Sequence, residues 1–374
     1  MKQSPLRTQL PVGRSIWLDS LTRELLSSRE LARLVQDGAV GGVSTNLAIL
    51  LKAVSHDPDY DAAIAHLAGA GLSSRDILRE LMMADVEQAA KLLRPLYEES
   101  GGAAGLVSMD LCLMSADDAA AGVAEARLVR SRLHGPNVLL KIPATRAGLA
   151  ASEALIEEGI NVDLTGVFDR DRYDAVALAY LDALDARARH GRPLDQLVSV
   201  ASFSLNRIDA MTDPMLEGLV RTGGSKCLDA AALRCGVALA CAKVVYGRYR
   251  AIFDGSGFAA LERSGARRQR LVWTDTAATS PMCRDVKYVD SLIGRETIVA
   301  MLPHSLAAFR DHGHPQTGLD DDSEEAELML ERLQECDIRI DTLAHELQRQ
   351  YVGSLGEFRN ALVAAIDRKR VRLG

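Results

Sequence analysis

The sequence lacks the features of membrane and secreted proteins. No apolar run approaches the roughly 20 residues that a membrane-spanning helix needs, and residues 1–15 lack the apolar stretch of a secretory signal. We therefore expect a cytoplasmic protein. Aromatic residues are also scarce, at 4%, but 48% of the 374 residues are hydrophobic, which is enough for one large core or two ordinary ones.

The chain carries no excess of positive charge. Its formal net charge is −7 at pH 7, and its isoelectric point is near 5.7. This balance argues against a nucleic-acid partner or an anionic membrane surface, because both attract basic proteins. A small-molecule substrate or a protein partner is favoured instead.

Metal-binding and disulfide motifs are missing as well. The sequence has no CxxC pair and no HExxH motif, so we predict neither a zinc site nor a disulfide framework. We expect catalysis without a metal or cofactor. Core or surface thiols are expected at the six scattered cysteines, which are Cys112, Cys227, Cys235, Cys241, Cys283 and Cys336.

The sequence does contain a repeated alternation of short β-type runs with longer helical stretches, which is the pattern of parallel βα units. Eight strand-like runs are present, and eight is the number that closes a barrel. The predicted fold is therefore α/β, a (β/α)8 TIM barrel. The runs occupy residues 15–20, 41–46, 105–111, 138–145, 161–168, 197–203, 270–276 and 297–303.

Helical spacing of apolar residues is clearest at 116–133 and 170–190. The interval from Leu50 to Gly105 contains two or three helical patterns and no strand signal. It therefore predicts a helical insertion after the second strand.

The C-terminal part begins with an acidic, polar stretch at 314–330, and helices are expected over about 322–372. No Pro/Ser-rich linker separates this tail from the rest. We predict one domain over 1–374, in which a barrel over about 13–313 is capped by the C-terminal helices.

Chemistry in a TIM barrel lies at the C-terminal ends of the strands. In this sequence those ends offer one lysine among acids, an amide and hydroxyls. The candidates are Asp19, Asn46, Asp110, Lys141, Thr165, Ser202 and Asp275, with Arg207 shortly after the sixth strand.

Lys141 lies within VLLKIPAT, a run predicted to be buried on both faces of the sheet. An unpaired ammonium there is costly. Burial lowers the pKa of a lysine, and a neutral amine can attack a ketone to form an iminium that accepts electrons during C–C cleavage. Two structural alternatives remain open, namely a side chain that reaches past a helix to water and a structural ion pair.

Asp19, at the end of the first strand, is a candidate to exchange protons with the hydroxyl next to the breaking C–C bond. Its structural alternative is to cap the helix that starts near Leu21. Asp110 and Thr165 are candidates to hold a water that carries the proton released as the carbinolamine dehydrates. Single Asp and Thr residues at strand ends are otherwise often structural.

From about Gly13 to its end, the chain resembles transaldolase in the longer form with an extended C-terminal helical region. The resemblance is specific because the motifs recur in order and place the in-strand lysine in the fourth strand. The motifs are GRSIWLDS, GGVSTNLAIL, LLKIPAT, EEGINVDLTGVF, SVASFSLNRID, VYGRYRAIF, and the stretch from WTDTAATSP to DVKYVDSLIG.

Transaldolases are class I aldolases of sugar-phosphate (pentose phosphate) metabolism that move a dihydroxyacetone unit from a ketose phosphate to an aldose phosphate, without metal or cofactor. The resemblance implies such a transferase here, and a homodimer. The site roles it implies are the Schiff-base lysine for Lys141, acid/base for Asp19, donor contacts for Asn46 and Ser202, water binding for Thr165 and phosphate binding for Arg207.

Several positions depart from the family pattern. Asp110 stands where the family has Glu, and Asp163 stands where it has Asn. A carboxylate at Asp163 would stabilise the iminium but would also raise the pKa of the free lysine, so we include Asp163 among the substrate-binding candidates. Leu47 replaces the usual Pro, and Ser204 replaces a usual aromatic residue.

The largest departure follows the seventh strand, where Asp275, Ala277 and Thr279 replace the usual Ser, Gly and Lys. A phosphate needs cations and N–H donors, and a carboxylate in the same pocket opposes it. We therefore expect Asp275 at the substrate and Arg207 as the main remaining cation. The far end of the substrate would then be a weaker anion, a neutral group or an amine.

Two alternatives for this pocket remain open. Arg207 and Asp275 pair with one another, or Asp275 points away while Arg170 or Arg284 supplies replacement charge. Sequence alone does not orient a loop side chain.

Three functions are consistent with the sequence. They are an ordinary transaldolase, a transaldolase-like enzyme of a specialised pathway with a changed substrate, for which an unphosphorylated one is an option, and a non-catalytic homologue that keeps the barrel for binding. Lys141 and Asp19 favour an enzyme, because a binding protein has no chemical need for either residue.

Overall fold

The computed structural model describes residues 15–111, 117–316, 319 and 323–373. Eight parallel strands form a closed barrel in sequence order, from β1 to β8 and back to β1. The predicted TIM barrel is confirmed. The strands are β1 Ser15–Leu18, β2 Gly42–Ser44, β3 Leu106–Asp110, β4 Val138–Pro143, β5 Val162–Val167, β6 Ser199–Ser204, β7 Arg270–Thr274 and β8 Thr297–Met301.

Most strands are shorter than the predicted runs, because those runs included the first residues of the following loops. β1, for example, ends at Leu18, so that Asp19 lies in the turn after it. β6 is the exception at its C-terminal end, since it continues one residue beyond the predicted run and includes Ser204.

Strand register places ionisable residues of three neighbouring strands side by side. Asp110 of β3 is paired with Lys141 of β4, and Lys141 is paired with Asp163 of β5. Because the strands are parallel and in register, these three side chains stand at one level.

Below that level the barrel is filled by apolar side chains, each at most 5% exposed. This packing leaves one end of the barrel for chemistry. The cluster consists of Trp17, Leu106, Leu139, Val198, Val200, Val272, Ile298 and Ala300.

Helices surround the barrel and extend it. Those of the barrel region are α1 Arg23–Ser27, α2 Glu30–Gln36, α3 Leu47–His56, α4 Asp61–Gly69, α5 Ser74–Glu99, α6 Ala119–Arg132, α7 Arg146–Glu158, α8 Arg170–Arg189, α9 Asn206–Thr222, α10 Cys227–Leu233, α11 Val237–Phe253, α12 Ser256–Arg263, α13 Lys287–Leu292 and α14 Pro303–His312. A 3-10 turn, Pro58–Tyr60, lies between α3 and α4.

The predicted helical insertion between β2 and β3 is present as α3, α4 and α5. It is joined to the first helix by a partly buried polar network. Arg23 Nε donates to Asp85 of α5 at 3.0 Å, and the Tyr60 hydroxyl donates to the other oxygen of that carboxylate at 2.9 Å.

Two C-terminal helices are also present as predicted, α15 Ser323–Glu335 and α16 Ile340–Leu373. The 34-residue α16 is anchored at both ends of its path. Lys369 donates to Asp61 Oδ1 of the insertion at 2.5 Å, and Gln348 donates to the Ala144 carbonyl oxygen just after β4 at 2.8 Å. The tail therefore packs on the barrel.

The expectation that all cysteines are free thiols is wrong for one pair, because Cys235 and Cys283 form a disulfide. The two residues are 48 positions apart, and the fold brings them together where the segment after β7 returns to the link between α10 and α11. Among the described residues Cys227, Cys241 and Cys336 are free. Cys112 lies outside the described residues.

A buried ion pair lies beside the disulfide. Lys287 Nζ donates to Asp209 Oδ2 at 2.5 Å and to the Cys235 carbonyl oxygen at 2.9 Å, while the Tyr288 hydroxyl donates to the same Asp209 oxygen at 2.8 Å. The disulfide thus fastens the segment between β7 and α13 to the link between α10 and α11, and the ion pair fastens the start of α13 to α9.

Within the described part of the chain, no helix combines the length and apolar character needed to cross a membrane.

Replacing both disulfide cysteines by serine, Cys235→Ser with Cys283→Ser, should lower the free energy of unfolding by up to about 4 kcal/mol, because the crosslink restricts the unfolded chain over a long loop. Urea unfolding with and without dithiothreitol measures this. The wild type should be less stable in reductant, and the double variant should be insensitive to it. Equal wild-type midpoints in both buffers would contradict the prediction.

Candidate active site

A pocket opens at the end of the barrel where the C-terminal ends of the strands meet. All the site residues predicted from the sequence line it, together with side chains from α16. The predicted residues are Asp19, Asn46, Asp110, Lys141, Asp163, Thr165, Ser202, Arg207 and Asp275.

The Lys141 amino group lies inside this pocket, and its side chain is 14% exposed. Nζ donates to the Thr45 carbonyl oxygen at 2.5 Å and stands 3.4 Å from Asp110 Oδ2. The alternative in which the lysine reaches past a helix to water is therefore wrong. An ion pair is present, but it lies within the pocket.

The electrostatics of Lys141 differ from what burial alone predicts. Burial lowers the pKa of Lys141, but the neighbouring carboxylates of Asp110, Asp19 and Asp163 raise it, and its net pKa lies above the ordinary lysine value. In the free protein the amine is therefore held as an ammonium, and it needs a proton acceptor close by before it can react.

Asp163, beside Lys141 on the neighbouring strand, is a candidate for this acceptor. Its two oxygens accept hydrogen bonds from the Ser108 and Ser202 hydroxyls, each at 2.6 Å. Burial raises the pKa of Asp163, although Lys141 and the two serines act in the opposite direction. A carboxylate with a raised pKa next to an ammonium is suited to take its proton.

The Asp19 carboxylate is held in position by side chains of β2 and of the residues just after β2. Its oxygens accept from Ser44 Oγ at 2.5 Å and from Asn46 Nδ2 at 2.8 Å. Burial raises the pKa of Asp19, and Asp275 adds to that rise, against the effect of Lys141. These contacts point the carboxylate into the pocket.

The helix-capping alternative for Asp19 is wrong. Thr22 caps α1, accepting a hydrogen bond from the Leu25 amide. Asn46 caps α3 through Oδ1 while its Nδ2 holds Asp19, so one side chain both starts a helix and orients the acid.

Asp110 and Thr165 flank Lys141 on the neighbouring strands. Asp110 Oδ2 accepts from Thr45 Oγ1 at 2.6 Å, and the Asp110 amide donates to that same hydroxyl at 2.8 Å. Thr165 is buried, and its hydroxyl is 3.4 Å from the Ile142 carbonyl oxygen. Both side chains line the pocket, where each could hold a water against the lysine.

Tyr351 of α16 is a site residue that sequence reasoning missed. Its hydroxyl shares a side-chain hydrogen bond with Thr165, and burial followed by the charge of Asp110 raises the pKa of Tyr351. The approach requires Gly166, which has φ 74°, because a Cβ there would lie 2.7 Å from the Tyr351 ring. The sequence signal that could have indicated this contact is the glycine itself, because a glycine inside a β-run often marks the close approach of another group.

The far end of the pocket holds Arg207 and Asp275. Arg207 Nε lies 3.4 Å from Asp275 Oδ2, and Ser204 Oγ donates to that same oxygen. Of the arrangements left open by the sequence, the structure has the direct Arg207–Asp275 pair.

The family profile described as transaldolase/fructose-6-phosphate aldolase matches residues 16–366. The chain belongs to this family. Its relatives include Transaldolase 2 of a Nostoc species, 37% identical over 88% of this chain and 87% of the relative. Transaldolase of Thiobacillus denitrificans is 36% identical over 95% of this chain and 97% of the relative. Transaldolase 2 of Streptomyces coelicolor is 34% identical over 96% of each chain.

Membership of the transaldolase family agrees with the barrel and with a site at its open end. The family match begins in β1 and ends within α16, so it includes the helix that supplies Tyr351. The C-terminal helix is thus part of the region shared with the family profile.

Asp163→Asn should lower the pKa of Lys141 by roughly one unit, because it removes a negative charge that stabilises the ammonium. Asn has the same shape and can still accept from one serine. The measurement is the pH dependence of Lys141 modification by an amine reagent, read by peptide mass spectrometry. The rise in Lys141 modification with increasing pH should begin at a lower pH than in the wild type.

Asp171→Asn is the matched control, since it removes the same charge from an exposed residue outside the pocket. An unchanged or upward-shifted profile for Asp163→Asn would count against the electrostatic interpretation.

Proposed function

We propose that this protein transfers a dihydroxyacetone unit from a ketose to an aldose through a Schiff base on Lys141. The observation that carries the proposal is one amine buried at the open end of the barrel among carboxylates that can exchange protons with it. Membership of the transaldolase family supports the same reaction.

The first step is loss of a proton from the Lys141 ammonium. Asp163 and Asp19, whose pKa values are raised by burial, are the acceptors. The neutral amine then attacks the ketone carbon, the protonated carboxyl group gives its proton to the carbonyl oxygen, and the attacking nitrogen returns a proton to that carboxylate, which leaves a neutral carbinolamine.

The carbinolamine must next lose water to form the iminium. In the proposal Thr165, Tyr351 and Asp110 hold the departing water and relay its proton. The carboxylate of Asp163 stabilises the positive charge that develops on the nitrogen. Asp110 reaches its position through the hydroxyl of Thr45.

Cleavage of the C–C bond requires a base at the hydroxyl of the carbon that leaves. Asp19 fills that role, removing the hydroxyl proton as the electron pair of the bond moves into the iminium. An aldose departs, and an enamine remains on Lys141. A second aldose accepts that enamine, and reversal of the earlier steps releases the new ketose.

Asn46 and Ser202 are proposed to contact the hydroxyls of the donor, since both line the pocket beside Lys141 and its carboxylates. The nitrogen of Lys141 is the electron sink, so the scheme uses no metal or cofactor. In its ordinary form the reaction exchanges dihydroxyacetone between sugar phosphates of the pentose phosphate pathway. A cytoplasmic homodimer remains the family-based expectation.

Lys141→Met should abolish both turnover and borohydride-trapped adducts with ketoses, since it removes the nucleophile while keeping an apolar side chain of similar length. Intact-mass analysis after borohydride treatment measures the adduct, and circular dichroism checks the fold. Lys91→Met, at an exposed residue on α5, should trap normally. A trapped adduct or retained turnover in the folded Lys141→Met variant would refute the mechanism.

Tyr351→Phe should lower kcat by roughly 100-fold while changing KM little, because it removes only the proton-relaying hydroxyl. The ring can still pack on Phe168, its edge-to-face partner. Steady-state kinetics over a range of pH gives the kcat and KM profiles. Tyr97→Phe, at the opposite end of the barrel, is the control, and an unchanged kcat for Tyr351→Phe would remove this residue from the scheme.

A further inference from the structure

The pocket ends in a charge pair that is accessible to a ligand. Arg207 follows β6 and Asp275 follows β7, and each side chain is 35% exposed. Ser204 donates to the Asp275 oxygen that faces Arg207. Because β6 and β7 are neighbours in the barrel, the pair forms one wall of the pocket beyond Lys141.

The backbone fixes the Asp275 carboxylate at this position. Asp275 has φ 53°, in the left-handed region that Asp tolerates better than most residues. Its carbonyl oxygen accepts from the Asn206 amide at 3.1 Å, and the Leu205 amide donates to the carbonyl oxygen of Thr274 at 3.1 Å. Two backbone hydrogen bonds therefore join the segment that carries the Asp275 carboxylate to the residues just before Arg207.

Positive charge in the pocket is already matched by carboxylates. Lys141 stands among acids, and Arg207 is paired with Asp275. The formal charge of the described lining residues is −2, from two cations and four carboxylates. The cations are Lys141 and Arg207, and the carboxylates are Asp19, Asp110, Asp163 and Asp275.

The two arginines that could have supplied replacement charge are engaged elsewhere. Arg170 pairs with Asp171 at 3.5 Å, and Arg284 pairs with the buried Asp290 at 3.0 Å. Neither lines this pocket. A phosphate dianion here would meet the Asp275 carboxylate with no uncommitted cation among the described lining residues.

We propose that the far end of the substrate is an uncharged hydroxyl group and that the substrates are unphosphorylated polyhydroxy ketones and aldehydes. A hydroxyl can donate to Asp275 and accept from Arg207 at the same time, so the pair need not be broken. This inference rests on the proposed Schiff-base function and specifies its substrate class.

In the test, Lys141 first forms a Schiff base with dihydroxyacetone, and two acceptors are then compared. Dihydroxyacetone has only three carbons and no phosphate, so any difference between the reactions comes from the acceptor. The two acceptors are D-glyceraldehyde and D-glyceraldehyde 3-phosphate, which differ only in the phosphate. Borohydride trapping confirms the Schiff base, and chromatography of the ketose products gives kcat/KM for each acceptor. The wild type should prefer the unphosphorylated acceptor by at least roughly tenfold.

Asp275→Asn should reduce that preference by at least roughly tenfold, because it removes the repelling charge and leaves Arg207 for the phosphate. Asn keeps the shape of the side chain and tolerates the left-handed backbone. Asp171→Asn removes a charge outside the pocket and should leave the preference as in the wild type.

The possible results distinguish failure of the Schiff-base function from failure of the proposed substrate class. Absence of any dihydroxyacetone adduct on Lys141 would overturn the Schiff-base function and this inference with it. An adduct together with a preference for the phosphorylated acceptor would leave the function standing and overturn the substrate class. If the wild type prefers the unphosphorylated acceptor and Asp275→Asn does not reduce that preference, Asp275 is not its cause.

Discussion

The structure depends on one electrostatic constraint, which is a lysine ammonium enclosed with three carboxylates at one level of a closed barrel. Strand register sets Lys141 between Asp110 and Asp163, and the turn after β1 adds Asp19. An isolated ammonium or carboxylate could not be buried there without losing its charge. Together they can keep their charges, and the proposed imine chemistry requires groups placed close enough to exchange protons.

The long C-terminal helix completes this cluster instead of merely covering the barrel. Its anchoring by Lys369 on the insertion and by Gln348 on the loop after β4 brings Tyr351 against Gly166 and Thr165. The insertion after β2 therefore contributes indirectly to the site, because it provides the surface on which the end of α16 is fixed. The two additions to the barrel act together.

Different contacts fix the end of the pocket that contains Arg207 and Asp275. The segment that begins at Asp275 is fastened through the disulfide of Cys283 with Cys235 and through the buried pair of Asp209 with Lys287. The residues of these contacts do not line the pocket. The proposed chemistry at Lys141 and the proposed substrate selection at Asp275 therefore depend on different supporting contacts.

The sequence by itself determined the barrel, the helical additions and eight of the nine site candidates, because strand periodicity and polar residues at strand ends are local patterns. The ninth candidate, Asp163, came from the comparison with the family pattern. The Arg207–Asp275 pair, the raised pKa of Lys141, the Cys235–Cys283 disulfide and the entry of Tyr351 were decided only by tertiary structure. Each depends on the distance between groups far apart in the chain, and a local pattern does not encode that distance. Burial alone predicted a lowered lysine pKa, and only the packed carboxylates reverse it.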